Sequence, residues 1–122
     1  MRIVRSDGVW EILCVRAERK VCLERVALGC GYRISEVCDL LECSGRYLQR
    51  VFLDDIGLPP KVWMRHERMV VARRMLAGGR STGEVALALG FATVGNFRRE
   101  FRACHRVTPA RFQQETWMTK GP

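Results

Sequence analysis

The sequence lacks any long apolar run. No stretch approaches the about 20 consecutive apolar residues that a membrane-spanning helix needs. Asp7 and Glu11 interrupt the first apolar stretch, so the N-terminus does not resemble a signal peptide. We therefore expect a cytoplasmic protein that does not bind a membrane.

The sequence also lacks paired metal-binding motifs. It contains six cysteines and two histidines, but no CxxC pair, and neither His66 nor His105 lies at zinc-finger spacing from two cysteines. Four cysteines recur every eight residues, a spacing that fits neither a helix face nor a metal knuckle: Cys14, Cys22, Cys30 and Cys38. We expect ordinary free thiols, no metal and no cofactor. A regulator that responds to metal or oxidation through these cysteines remains an alternative.

Enzymatic signatures are missing as well. No nucleophile is paired with a base, no phosphate-binding loop occurs, and no carboxylate pair lies in a fitting context. The sequence therefore predicts a protein that is not an enzyme.

Positive charge is what the sequence has in excess. Lys and Arg number 21 against 13 Asp and Glu, which gives a net charge of +8 over 122 residues. About half of the residues are apolar (48%), enough for a packed core in one domain or two small subdomains. A charge excess of this size on a small protein fits nucleic acid or an anionic membrane surface, and we expect nucleic acid as the partner.

The chain contains one small unit twice. Gly83–Phe101 reads as a short helix, a tight turn at Gly90-Phe91 and a second helix, and Ser35–Phe52 is a weaker copy. Glu36-Val37 recurs as Glu84-Val85 at an offset of 48, and several later residues recur at 49. Internal duplication indicates a protein that binds something long and periodic.

In both copies the second helix separates apolar from polar side chains. Leu48 and Phe52 share one face of the first copy, and Phe97 and Phe101 share one face of the second. We expect these four side chains in the core. The opposite faces carry long donors and one glycine: Arg46, Gln49 and Arg50 in the first copy, and Gly95, Arg98, Arg99 and Arg102 in the second.

A long helix is predicted between the copies, over Lys61–Ala77. Ser35, Ser44, Ser81 and Thr93 are the expected N-caps of the four short helices. A helix is also predicted over Ala17–Leu28 and another over Ala110–Met118, whereas Val9–Val15 fits a strand or a helix. We divide the chain into an extension (1–16), a first subdomain (17–59), a linker helix (60–78), a second subdomain (79–118) and a fraying tail (119–122).

Such a pair of helix-turn-helix units can read double-stranded DNA. The second helix of each unit would enter the major groove, and two of them can occupy successive grooves about 34 Å apart. A single chain would then bind an asymmetric site as a monomer.

The motifs resemble the DNA-binding domain of the AraC/XylS family of bacterial transcription regulators, over roughly Arg25–Phe112. The matching residues are Ser44, Tyr47-Leu48, Arg50, Phe52 and Gly57, then Arg68, Ala72 and Leu76, then Gly90-Phe91, Phe97, Arg99, Phe101 and Pro109. The resemblance implies an all-α fold of seven helices in two helix-turn-helix subdomains joined by a long helix. It also implies promoter binding, usually with activation through RNA polymerase.

The resemblance assigns roles by position. The base-reading candidates are Arg46, Gln49, Arg50, Gly95, Asn96, Arg98 and Arg99. The phosphate-binding candidates are Ser44, Lys61, Thr93 and Arg102.

The sequence departs from the family pattern at three places. Arg106 replaces the usual Gly, so its turn must avoid the left-handed conformation or tolerate strain. Glu42 stands in the first turn where Gly90 stands in the second. Asp54 and Asp55 place negative charge just after the first recognition helix, so we expect the second subdomain to contribute more affinity.

Two questions stay open in the sequence. Many family members have an effector-binding domain ahead of this one, so the chain is either a short stand-alone activator or a fragment of a longer regulator. Met1 slightly favours the first alternative. A protein-interaction module with the same fold is the other functional alternative.

Overall fold

Three strands and seven helices follow one another in the computed structural model, which describes residues 1–14 and 19–120. The strands are β1 (Arg2–Ser6), β2 (Val9–Cys14) and β3 (Arg19–Cys22). The helices are α1 (Leu23–Gly29), α2 (Ile34–Leu41), α3 (Gly45–Asp55), α4 (Pro60–Ala77), α5 (Thr82–Ala88), α6 (Val94–His105) and α7 (Pro109–Lys120). The predicted all-α fold with about seven helices is confirmed, and a small sheet is added to it.

The chain divides into two compact units, Met1–Glu67 and Arg68–Pro122, and the boundary falls inside α4. Each unit contains one helix-turn-helix, formed by α2 and α3 in the first unit and by α5 and α6 in the second. No helix in the described part of the chain is long and apolar enough to cross a membrane.

The sheet is a hairpin extended by a third strand. β1 pairs antiparallel with β2, with Ile3 opposite Ile12, and β2 pairs antiparallel with β3. Asp7 and Gly8 have φ of 51° and 82°, as a two-residue type I′ hairpin turn requires. Ile3 and Ile12 are buried because β1 packs against α3 and β2 packs against α1.

The sheet corrects the predicted first helix. Arg19–Cys22 is a strand, not the first turns of a helix over Ala17–Leu28, and α1 begins only at Leu23. Pairing with β2 overrides a helical pattern that rests on few apolar positions. The ambiguous stretch from Val9 is strand as far as Cys14. The predicted helix start at Ala17, the end of that stretch at Val15 and the last two residues of the predicted tail lie outside the described residues.

Two carboxylates attach the sheet to the helices. The N–H of Ile3 donates to Asp55 Oδ2 at 2.8 Å, and Arg2 Nε lies 3.3 Å from Asp55 Oδ1. The N–H of Trp10 donates to both carboxylate oxygens of Glu24, at 3.1 and 3.2 Å. Strand N–H groups that lack a neighbouring strand need an acceptor, and these side chains provide it.

Helix α2 begins at Ile34, so Ser35 is not its N-cap as predicted. The N-cap is Arg33, with extended backbone and no side-chain capping hydrogen bond. Arg33 Nη1 instead pairs with Glu36 Oε1 at 3.2 Å. This ion pair holds the first turn where a hydroxyl cap was expected.

The other three predicted caps are confirmed. The hydroxyl oxygens of Ser44, Ser81 and Thr93 accept from the backbone N–H three residues ahead, at 3.1, 3.1 and 3.0 Å. The Glu84 carboxylate also accepts from the N–H of Ser81, which completes a capping box. This hydrogen bonding lowers the pKa of Glu84.

The turn of the first helix-turn-helix is a Schellman motif. Glu42 N donates to Asp39 O at 3.3 Å, and Cys43 N donates to Cys38 O at 3.0 Å. Glu42 adopts the left-handed conformation, with φ 52° and ψ 48°. This conformation costs a non-glycine residue about 1 kcal/mol.

The turn of the second helix-turn-helix has the same hydrogen bonds. Gly90 N donates to Leu87 O at 3.2 Å, and Phe91 N donates to Ala86 O at 3.0 Å. Gly90 has φ 76°, which glycine adopts without strain. The two units therefore share one turn geometry, but only the first unit has conformational strain there, because its left-handed residue is not glycine.

Arg68 fastens the second turn. Its Nε and Nη2 donate to Leu89 O at 3.0 and 2.7 Å. Its guanidinium carbon lies 3.6 Å from the centre of the Phe91 ring, and Phe91 packs on Phe97 of α6 at 5.1 Å between ring centres. Arg68 thereby joins the carbonyl at the end of α5 to the aromatic side chains that support α6.

The predicted core residues are buried. Leu48, Phe52, Phe97 and Phe101 have no exposed surface. In the second unit, Phe101 packs edge-on against Phe97 and Phe112. The apolar faces predicted for the two recognition helices are therefore confirmed.

Arg106 adopts the left-handed conformation, with φ 67° and ψ 4°, as the C-cap of α6. Its N–H donates to Arg102 O at 2.8 Å. Of the two alternatives for this turn, the chain therefore tolerates strain at Arg106.

Replacing Asp55 by Ala should destabilise the first unit by about 1 to 3 kcal/mol, because it leaves the buried N–H of Ile3 without an acceptor. Asp54→Ala is the matched control, since Asp54 is the exposed neighbour, and it should change stability by less than about 0.5 kcal/mol. Urea unfolding followed by circular dichroism measures both. Equal effects of the two substitutions would show that the carboxylate does not hold the sheet.

Arg68→Lys should destabilise the second unit by about 1 to 2 kcal/mol, because lysine retains the charge but loses the planar fork and the stacking on Phe91. Arg74→Lys, at an exposed position of the same helix, should be nearly neutral. Thermal unfolding of both variants provides the comparison. A neutral Arg68→Lys variant would contradict the role given to the guanidinium.

Candidate nucleic-acid interface

Helix α3 presents the three base-reading candidates of the first unit to solvent. Arg46, Gln49 and Arg50 are all exposed, whereas Leu48 and Phe52 on the opposite side are completely buried. The Ser44 cap fixes where α3 begins, and Phe52 packs edge-on against Trp63 of α4. The donor face is therefore held by a packed core beneath it.

Helix α6 has the same arrangement in the second unit. Gly95, Asn96, Arg98 and Arg99 are exposed on the side away from Phe97 and Phe101. A Cβ built on Gly95 would lie 3.8 Å from Thr93 Oγ1, an ordinary contact. The fold itself therefore does not require glycine at this position.

The arginines on these faces are available for a ligand. Within the described residues, the ion pairs join Arg2 to Asp55, Arg33 to Glu36 and Arg111 to Glu115, so none involves a base-reading candidate. Unpaired guanidinium groups on a helix can donate to guanine edges or to phosphates.

The four phosphate-binding candidates are exposed too. Ser44 and Thr93 are the N-caps of α3 and α6, where backbone N–H groups and the helix dipole favour anions. Each hydroxyl accepts one capping hydrogen bond and keeps its own hydrogen free to donate. Lys61 lies at the start of α4, and Arg102 lies one turn beyond Arg98.

Asp54 and Asp55, which the sequence presents as two equal negative charges, differ in their surroundings. The Asp55 side chain is only 10% exposed and is paired with Arg2, so its charge is compensated inside the first unit. Asp54 is exposed. Both aspartates lie in the last turn of α3 and not after it as predicted, and only the exposed Asp54 is placed to repel phosphates there.

Tyr47 lies on α3 and Arg2 is paired with Asp55 at the end of α3, and neither was among the candidate site residues. The Arg2 side chain is 68% exposed while it pairs with Asp55, and Tyr47 is 38% exposed one turn after Ser44. The sequence around Arg2 gave no indication that this residue would pair with Asp55 of α3. Tyr47 was visible only as part of the family motif.

The cysteines are free, and three of them lie near one another in the first unit. Burial, and after it the neighbouring thiols of Cys38 and Cys14, raise the pKa of Cys43 to about 11. Cys43 is thus a neutral thiol at pH 7. No group of three or more His, Cys, Asp or Glu residues in the described part of the chain is arranged to hold a metal ion.

Comparison with known proteins places this geometry in a family. A family model of the AraC type, described as "Helix-turn-helix domain", matches residues 37–115. The HTH-type transcriptional regulator RipA of Corynebacterium glutamicum is 34% identical over 79 residues, which cover 65% of this chain and 24% of RipA. The HTH-type transcriptional regulator Rv1931c of Mycobacterium tuberculosis is 30% identical over 87 residues, which cover 70% of this chain and 34% of that protein. The chain thus spans about a quarter to a third of these relatives.

A solved structure supports the same family assignment. The DNA-binding domain of AdpA, described as a global transcriptional factor and solved in complex with a target DNA, superposes with a TM-score of 0.64 and 26% sequence identity. The match covers 73% of this chain and 84% of that domain. The chain therefore belongs to the AraC-type family of helix-turn-helix DNA-binding transcription regulators.

Proposed function

We propose that this chain binds a specific double-stranded promoter sequence by inserting α3 and α6 into successive major grooves. The observation that carries the proposal is the repeated face: each helix buries two large apolar side chains and leaves its long donors exposed and unpaired within the described residues. The solved AdpA domain binds its DNA with the same fold, which supports this mode.

The exposed side chains suit direct readout. Arg46, Arg50, Arg98 and Arg99 would donate to guanine edges, and Gln49 and Asn96 would pair with adenine, because their donor and acceptor patterns match those bases. Gly95 has no side chain, so it would allow the backbone of α6 to approach the groove closely.

The phosphate candidates would fix the register. Ser44 and Thr93 would bind phosphates at the start of the two recognition helices, and Lys61 and Arg102 would supply cationic contacts. With a net charge of +8, the chain should bind DNA with a strong dependence on salt concentration.

We further propose that one chain binds its promoter as a monomer in the cytoplasm and activates transcription by contacting RNA polymerase. The two unequal helix-turn-helix units support a monomer, because together they match an asymmetric site without a two-fold axis. The division into subdomains 17–59 and 79–118, joined by a linker helix over 60–78, is part of this proposal. The alternative of a protein-interaction module rests on the acidic pair Asp54-Asp55 and on Arg106, and the internal compensation of the Asp55 charge removes part of that support.

Selection of bound sites from a random duplex library tests the proposal directly. A single enriched sequence, bound in a mobility-shift assay against excess random duplex, is the expected result. Enrichment of no sequence, with equal competition by random duplex, would reduce the chain to a nonspecific binder.

Arg99→Ala should weaken binding to the selected site by about 1 to 3 kcal/mol, roughly 5- to 150-fold, and relax the choice of base at one position. Arg111→Ala is the control, because Arg111 is exposed on α7 and paired with Glu115 at 3.0 Å. Fluorescence anisotropy with the selected duplex and single-base variants measures both effects. An Arg99 variant with unchanged base preference would remove Arg99 from the base-reading set.

We expect Arg99→Ala to reduce affinity more than Arg50→Ala does. The first unit carries the exposed Asp54 in the last turn of α3 and a strained left-handed Glu42 before that helix. The second unit has Gly90 at the corresponding turn, which Arg68 stabilises. Anisotropy titrations of the two variants on the same duplex compare the units. A larger loss from the Arg50 change would reverse this ranking.

A further inference from the structure

Three thiols converge at the turn of the first helix-turn-helix. Cys38 lies on α2, Cys43 follows the left-handed Glu42, and Cys14 is the last residue of β2. Cys14 and Cys43 line one cavity of about 590 Å³ together with Ser44. The backbone N–H of Cys43 donates to the carbonyl of Cys38 at 3.0 Å, which brings these two residues together across the turn.

The turn motif explains why Cys38 and Cys43 meet. In a Schellman motif the residue that follows the left-handed position contacts the residue five places before it, ordinarily through apolar side chains. The second unit has Ala86 and Phe91 at these positions, and the first has Cys38 and Cys43 at the same offset of 48. The first turn thus carries two thiols where its copy carries an apolar pair.

We propose that Cys38 and Cys43 form a two-thiolate binding site for a soft univalent metal ion, of which univalent copper is the representative. Thiolates are the ligands that univalent copper prefers, and this ion accepts two of them in a nearly linear arrangement. Each thiol loses its proton to solvent when the ion binds, so two protons are released and no electron is transferred. A structural zinc ion would need four ligands, and the described residues hold no metal-binding group of even three.

The surroundings of the pair allow an ion to enter and leave. Cys43 is partly exposed and lines the cavity, while Cys38 is 9% exposed behind it. Cys14 lines the same cavity. The exposed Cys104 lies on α6, in the other unit, and therefore provides a matched control.

Ion binding at this pair would regulate the first recognition helix. Cys43 directly precedes Ser44, the N-cap of α3 and a candidate phosphate ligand. A bridging ion would fix the distance between the two sulfurs, and the turn and the start of α3 would shift to accommodate it. This step rests on the proposed function, and the expected result is a loss of DNA affinity of at least about fivefold, within the ordinary range of coupling between two sites.

The binding site is tested without DNA. The reduced 122-residue chain competes under anaerobic conditions with a chromogenic chelator for univalent copper. Four proteins are compared: wild type, Cys38→Ala, Cys43→Ser and Cys104→Ser. Wild type and Cys104→Ser should bind one copper ion with equal affinity. Cys38→Ala and Cys43→Ser should each lose more than about 100-fold in copper affinity, because each removes a ligand, and changes to the residues around a ligand already cost up to that much. Cys38→Ala introduces alanine, the residue that the second unit has at the corresponding position, Ala86. This variant should therefore keep the fold, which circular dichroism checks.

Two results would show that Cys38 and Cys43 do not form a metal site. One is equal copper affinity in all four proteins. The other is a Cys38–Cys43 disulfide after mild oxidation, found by mass spectrometry, together with no copper competition by the reduced chain, which would make the pair a redox couple instead.

Regulation is tested on the selected duplex. Copper should weaken DNA binding by wild type and Cys104→Ser and leave Cys43→Ser unaffected; equal DNA affinity of the copper-loaded and copper-free wild type overturns the coupling. If no protein binds DNA specifically even without copper, the proposed function fails, while the chelator competition still decides the metal site.

Discussion

The direction in which α3 and α6 leave their turns depends on one left-handed residue in each unit. Glu42 and Gly90 adopt this conformation, and the N–H groups that follow return to carbonyls of the preceding helix. With the turn closed in this way, the next residues reach the hydroxyl caps Ser44 and Thr93, which set where α3 and α6 begin. The buried faces of the two helices then determine which side chains remain exposed.

The two units support this shared turn by different means. In the second unit the left-handed residue is glycine, and Arg68 binds the carbonyl before it and stacks on the phenylalanine after it. In the first unit the left-handed residue is glutamate, and the two residues joined across the turn by a backbone hydrogen bond are Cys38 and Cys43. The N-terminal sheet is joined to the end of α3 through Asp55. The two duplicated units therefore differ more in the contacts that stabilise their turns than in the side chains that α3 and α6 expose.

The sequence predicted the helices and the donor faces well because these depend on local signals. The periodicity of Leu48, Phe52, Phe97 and Phe101 and the hydroxyl caps at Ser44, Ser81 and Thr93 are short-range features, and the structure has them. The sheet was missed because pairing between β1, β2 and β3 is a tertiary effect that a few apolar residues do not signal. The compensation of Asp55 by Arg2 was missed for the same reason, since 53 positions separate the two residues.

The central claim is that a single chain uses both recognition helices on one duplex. Hydroxyl-radical footprinting of the selected site, with stoichiometry measured in the same complex, tests it most directly. The account predicts one chain per duplex and two protected patches on one face of the DNA, separated by about one helical turn, or 34 Å. A single protected patch, or two chains per site, would contradict it.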